Sequence, residues 1–184
     1  MALRSTVNSK DVLNHVLNLQ RFSLANYLRF ARPWASEPDH VLLTVVFGIA
    51  QAQQQHADRI GMLLVERHAR AEPGTFPLRF TGLNDLSIRH VSPLVVEDLE
   101  RMIHDLHGCA EALRDDSAAS ALVQAILRDE QRHLQILREE VGHLAESVRV
   151  DQQRVSRLNR GEKYEQKNGQ RRRASDVRGE PIPA

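Results

Sequence analysis

The sequence predicts an all-α fold: a four-helix bundle with one long crossover between its second and third helices. Three observations point to it. Ala, Leu, Arg, Glu and Gln dominate, all strong helix formers, and only 4% of the residues are aromatic. Apolar residues recur at three- and four-residue spacing in four long segments, with no alternating β-branched runs. The links between those segments are short, then long, then short.

The first helix is expected from about Ser9 to Ala31, capped by Asn8 or Ser9 and ended by Pro33. Val12, Leu13, Val16, Leu17, Leu24, Tyr27 and Leu28 form its apolar face. The second is expected from about Pro38 to Ala69, with Pro38 in the first turn, where a missing N–H costs nothing. Its stripe is Leu42, Val45, Val46, Ile49, Ile60, Leu63 and Leu64. A stretch containing Glu72-Pro73-Gly74 and Pro77 then separates it from a third helix, Pro93 to Arg114, with Ser92 as cap. The fourth begins near Asp116 or Ser117, carries Leu122, Val123, Ile126, Leu127, Leu134, Leu137, Val141 and Leu144, and extends weakly to a stop at Gly161. Residues 1–160 therefore read as the bundle. Residues 161–184, with Arg171-Arg172-Arg173 and little apolar surface to bury, read as a basic disordered tail.

With 184 residues and one cysteine, Cys109, the chain has length for one substantial core and no internal disulfide. That composition suits the cytoplasm. No apolar run is long enough to span a bilayer, so no membrane association is expected. The net charge of +1 is uneven. Ten Lys/Arg against five Asp/Glu give residues 149–184 a charge of +5 and leave −4 on residues 1–148. Such a distribution speaks to partners rather than to fold.

Five polar residues interrupt the apolar faces: Gln20 on the first, Gln53 and His56 on the second, Glu130 and His133 on the fourth. Buried polar groups are costly unless paired, so their shared phase implies one network or a metal. Glu130-Gln131-Arg132-His133 is a Glu-x-x-His motif, whose two side chains share a helix face. Gln53-Gln54-Gln55-His56 repeats it with Gln for Glu. Cys109 and Tyr27 read as core residues, and His104 and His107 as solvated.

With these residues the chain resembles the ferritin-like superfamily, most closely bacterioferritin. The matching stretches are Leu13-Asn14 with Gln20 and Tyr27, Gln53 to Arg59 (QQQHADR) and Ile126 to His133 (ILRDEQRH). The resemblance implies a ferritin-like bundle with a dinuclear iron site. Its carboxylates would stand at Gln20, at Gln53, on the third helix and at Glu130, with His56 and His133 as further ligands. Two of those positions are Gln here. Counting back from Glu130 at the family's spacing reaches Glu97, but Glu97 and Glu100 lie out of phase with the apolar stripe, so Leu99 or Met102 is expected to face the site. The haem-ligating Met of bacterioferritin is replaced by Gln54, and haem is not expected.

Two iron ions need several carboxylates to offset their charge and bridge them. One carboxylate with two histidines suits at most one ion, iron or zinc. The leading reading is therefore a ferritin-like protein with a depleted site, non-catalytic or binding a single metal, serving as a structural or interaction subunit. The alternatives are an iron-oxidising or iron-storing protein, and a DNA-associated one using its basic tail, as DNA-protecting ferritin-like proteins do. The expected partners are a second copy, since twofold dimers are the commonest oligomers, and a protein docking on the tail, where Ile182 lies between two prolines.

Overall fold

The computed structural model describes residues 8–176. It is mostly helical, and no β-strand is formed among the described residues. The helices are α1 (Ser9–Arg21), α2 (Leu24–Ala31), α3 (His40–Glu66), α4 (Ile88–Ala112) and α5 (Ser117–Asp176). Short 3-10 turns at Glu37–Asp39 and Leu78–Leu83 lie in the links. The chain divides into two units, Met1–Gly142 and His143–Ala184. The first contains a core to which α1, α3, α4 and the first turns of α5 all contribute, among them Leu13, Val16, Ile60, Leu106, Val123 and Ile126.

The contacts between helix ends fix their directions. Asn14 on α1 bonds the segment after α3, donating to the Arg70 carbonyl (3.2 Å) and accepting from the Glu72 amide (2.8 Å). Arg67, just past α3, pairs with Asp116, just before α5, with one N–O distance of 2.7 Å. On α4 and α5, Glu100 meets Arg138 (2.5 Å) and His107 meets Gln131 (3.4 Å). Each of these pairs is antiparallel. In contrast, Arg89 at the start of α4 binds Asp39 at the start of α3 (2.7 Å). Those two helices run parallel, which is why the chain between them must return the length of a helix.

Four expectations are corrected. The first helix is not continuous: it breaks at Phe22-Ser23 into α1 and α2. The third begins at Ile88, capped by Ser87, whose hydroxyl accepts from the His90 amide (3.3 Å). Pro93 thus lies inside it rather than at its first position. The Arg89 carbonyl that Pro93 cannot serve is approached by the Ser92 hydroxyl (3.4 Å). The second helix begins at His40, with Pro38 in the preceding 3-10 turn. Finally, α5 does not stop at Gly161 but runs helically to Asp176. A lone glycine costs a helix only about 1 kcal/mol, and the Arg, Lys, Glu and Gln around it favour continuation. The remainder of the expected tail, 177–184 with Ile182, lies outside the described residues.

Candidate functional site

Gln20, Gln53, His56 and Glu130 are all buried, and they meet in the interior of the first unit. The helix period places each of them there: Gln20 follows Leu13, Val16 and Leu17 on one face of α1, and Gln53 and His56 share theirs with Ile49, Ile60 and Leu64. Glu130 follows Val123, Ile126 and Leu127 on α5.

Glu130 is fully buried. Its Oε2 accepts from Gln53 Nε2 (3.3 Å) and lies 3.3 Å from His133 Nδ1. Its Oε1 has no hydrogen-bond partner. The nearest ring nitrogen, His56 Nδ1, stands 3.6 Å away, beyond hydrogen-bond length, and is engaged instead by Gln20 Oε1 at 3.0 Å. His56 Nε2 faces Asp129 Oδ2 (3.2 Å), so both ring nitrogens meet oxygen acceptors. Burial pushes the Glu130 carboxyl up, but the adjoining His133 and His56 rings outweigh it and hold the group below the ordinary carboxylate value.

The α4 side chain that meets this centre is a thioether. Gln20 Nε2 donates to Met102 Sδ (3.2 Å), and Gln53 Nε2 approaches the same sulfur (3.8 Å). Glu97 and Glu100 are exposed on the far side of α4, with Glu100 paired to Arg138. His133 is at the edge of the site, its side chain 19% exposed. Gln54 is exposed and bonds Asp58 (3.0 Å). Among the described residues, no group of three or more His, Cys, Asp or Glu is arranged to hold a metal ion.

Beside this centre is the break between α1 and α2, where further buried polar residues meet. In a continuous helix the Leu24 amide would bond the Gln20 carbonyl. Instead it donates to Oδ2 of Asp98, a buried carboxylate on α4 (2.8 Å), while the Gln20 carbonyl accepts from Asn26 Nδ2 (2.7 Å). Ser23 caps α2 through the Asn26 amide (3.1 Å) and donates its hydroxyl proton to Gln53 Oε1 (2.6 Å). The break and the polar centre are therefore one network, joined at Gln53. Asp98 carried a readable signal, since it occupies the buried phase of α4 with Val95, Leu99 and Met102.

The remaining candidates are placed simply. Tyr27 is half-buried among Phe76 and Phe80, and its hydroxyl donates to Asn84 (2.7 Å). Cys109 is in the core, and burial, with Asp105 nearby, pushes its thiol up to about 11. His104 and His107 are exposed. No family model matches the chain, and no curated protein matches it.

Proposed function

We propose that this chain is a ferritin-like scaffold protein whose central site has been converted from a metal centre into a hydrogen-bonded polar network, and that it acts as a structural or interaction subunit. The helix directions support the ferritin-like reading: antiparallel pairs joined by short links, and a parallel α3–α4 pair joined by a long one. The inward phase of Gln53-x-x-His56 and Glu130-x-x-His133 supports it too.

The observation that carries the conversion is the donor set around Glu130. A dinuclear iron centre does not fit these residues. At the centre stand one carboxylate, Glu130, two neutral amides and a thioether, the nearby Asp98 being taken by the Leu24 amide and two arginines, where two ferrous ions need several bridging oxygens and negative charge. The amides are already committed. Gln53 Oε1 takes the Ser23 hydroxyl, and its Nε2 serves Glu130. Within the cluster every polar atom named above except Glu130 Oε1 has a partner, which offsets the cost of burying them.

A single bound ion is the second reading, and one observation favours it. Glu130 Oε1 is buried and without a partner, and His56 Nδ1 stands 3.6 Å from it. That separation matches the spacing of two ligand atoms on one tetrahedral ion. The ferroxidase alternative is tested directly by adding ferrous iron to the aerobic protein and following ferric absorbance. The conversion predicts oxidation no faster than in buffer, for both wild type and Glu130→Ala. Rapid oxidation by wild type that disappears in Glu130→Ala would refute it.

In the same reading the chain is a cytoplasmic homodimer. No helix among the described residues is long and apolar enough to cross a membrane. Phe30, Trp34 and Val41 leave large apolar side chains exposed on or near the α2–α3 link.

A further inference from the structure

Between α1 and α4 lies an open cleft of about 440 Å³, bounded at one end by the segment 74–80. It adjoins the polar centre: Ser23, Asp98 and Met102 form part of its wall, and the Met102 sulfur also accepts from Gln20. Leu19 on α1 and Phe22 just past its end face it with Met102, and make that part of the wall apolar.

Its end near the helix break is cationic. Arg79 and Arg101 both reach Asp98 Oδ1, at 3.4 and 3.0 Å. The other oxygen of Asp98 is held by the Leu24 amide. Two guanidinium groups thus share one carboxylate oxygen, which leaves one positive charge in excess. Each spends a single N–H of its five on Asp98, and their side chains are 58% and 56% exposed. Arg79 is further held over the Phe80 ring, 4.9 Å from its centroid. Asp105, also on the cleft wall, is one helical turn from Arg101 on α4, but it forms no ion pair with either arginine, and both guanidinium groups turn to Asp98 instead.

We infer that this cleft binds a small organic anion: a carboxylate carried on an apolar or aromatic body. The carboxylate bridges Arg79 and Arg101, for which planar, forked donors are suited. The body lies against Leu19, Phe22 and Met102. A single charge matches the single excess charge, and the volume falls in the range of small-molecule sites. The inference does not depend on the ferritin-like reading.

The test is calorimetric titration of the full chain with 3-phenylpropionate, its uncharged amide and inorganic phosphate. The carboxylate should bind one to one, and the amide about tenfold more weakly or worse, as for loss of one charge-assisted hydrogen bond. Arg79→Gln and Arg101→Gln should each weaken the acid by a similar factor. Leu19→Trp, which fills the cleft and keeps both arginines, should abolish binding and guards against a misfolded arginine variant. In spectra of methyl-labelled methionine, the acid should move the Met102 signal and leave exposed Met62 unchanged. Equal affinity for acid and amide, equal affinity for phosphate, an unmoved Met102, or no binding of the acid below about 10 mM, the weak end of the affinity scale, would each overturn the inference.

Discussion

The interior of the first unit has two regions that are held together differently. Around Leu13, Ile60, Leu106, Leu113, Val123 and Ile126 the packing is apolar, and cohesion depends on volume and burial. Around Gln20, Gln53, His56, Met102 and Glu130 the same four helical segments meet through directed bonds. The apolar region should tolerate a change of shape so long as volume is kept. The polar region should tolerate a change of shape only if every donor and acceptor still finds a partner. Buried polar residues are costly singly and compensated where they pair, and in this cluster only Glu130 Oε1 lacks a partner.

The comparison is broken most directly by making the same kind of substitution in both regions. Leu106→Met should cost less than about 1.5 kcal/mol, as volume-conserving apolar exchanges do. Gln53→Met conserves volume about as well but strands the Ser23 hydroxyl and removes a donor from Glu130. At about 1–3 kcal/mol per unsatisfied buried group, it should cost about 3 kcal/mol or more. Urea denaturation of both variants measures the gap. Equal costs would mean that the polar centre is held by packing alone.

Asp98→Ala should loosen the helix break. The Leu24 amide loses its acceptor, and the loss should be about 2 kcal/mol. Hydrogen exchange should show the Leu24 amide losing protection while amides in the middle of α3 keep theirs. Unchanged protection at Leu24 would show that the break does not rest on Asp98.

Much of this was legible in the sequence, and the failures have definite causes. The apolar stripes on α3, α4 and α5 could be read because burial follows a local period: Leu42, Val46, Ile49, Leu99, Leu106, Val123 and Ile126 are all buried. Gln20, Gln53, His56 and Glu130 stood out as polar residues in that phase. The break at Ser23 was not legible, because Leu24 and Leu28 continue the stripe of Leu13 and Leu17 as if the helix were unbroken. Its cause, Asp98, lies 74 residues away. The early start of α4 was hidden by Pro93, which resembles a first-turn proline. Gly161 gave a false stop because a single glycine weighs little against strong helix formers around it.

A smaller effect belongs to the ion pair that ties α3 to the start of α5. The Arg67 guanidinium holds the Asp116 carboxyl down to about 2, from an ordinary 3.8. A depressed carboxylate contributes stability that is present above its unfolded value and lost as pH falls through its folded one. The gap between wild type and Asp116→Asn should therefore be full above pH 4 and close between about pH 4 and 2. For a pair about one-fifth exposed it should amount to about 1–2 kcal/mol. A gap that does not change across that window would remove Arg67 as its cause.

We propose that Glu130 is held by protein donors and does not serve as a metal ligand. This is tested by the melting temperature of wild type and Glu130→Gln, each with chelator and with added zinc or ferrous iron. The amide of Glu130→Gln can still accept from Gln53 Nε2, so this variant should melt close to wild type in chelator. The account predicts that metal leaves both proteins unmoved. An ion bound at a hundred times its dissociation constant would stabilise the fold by about 2.7 kcal/mol, a rise of roughly 5–10 °C for a chain of this size. Such a rise in wild type, absent in Glu130→Gln, would contradict the account and establish Glu130 as a metal ligand.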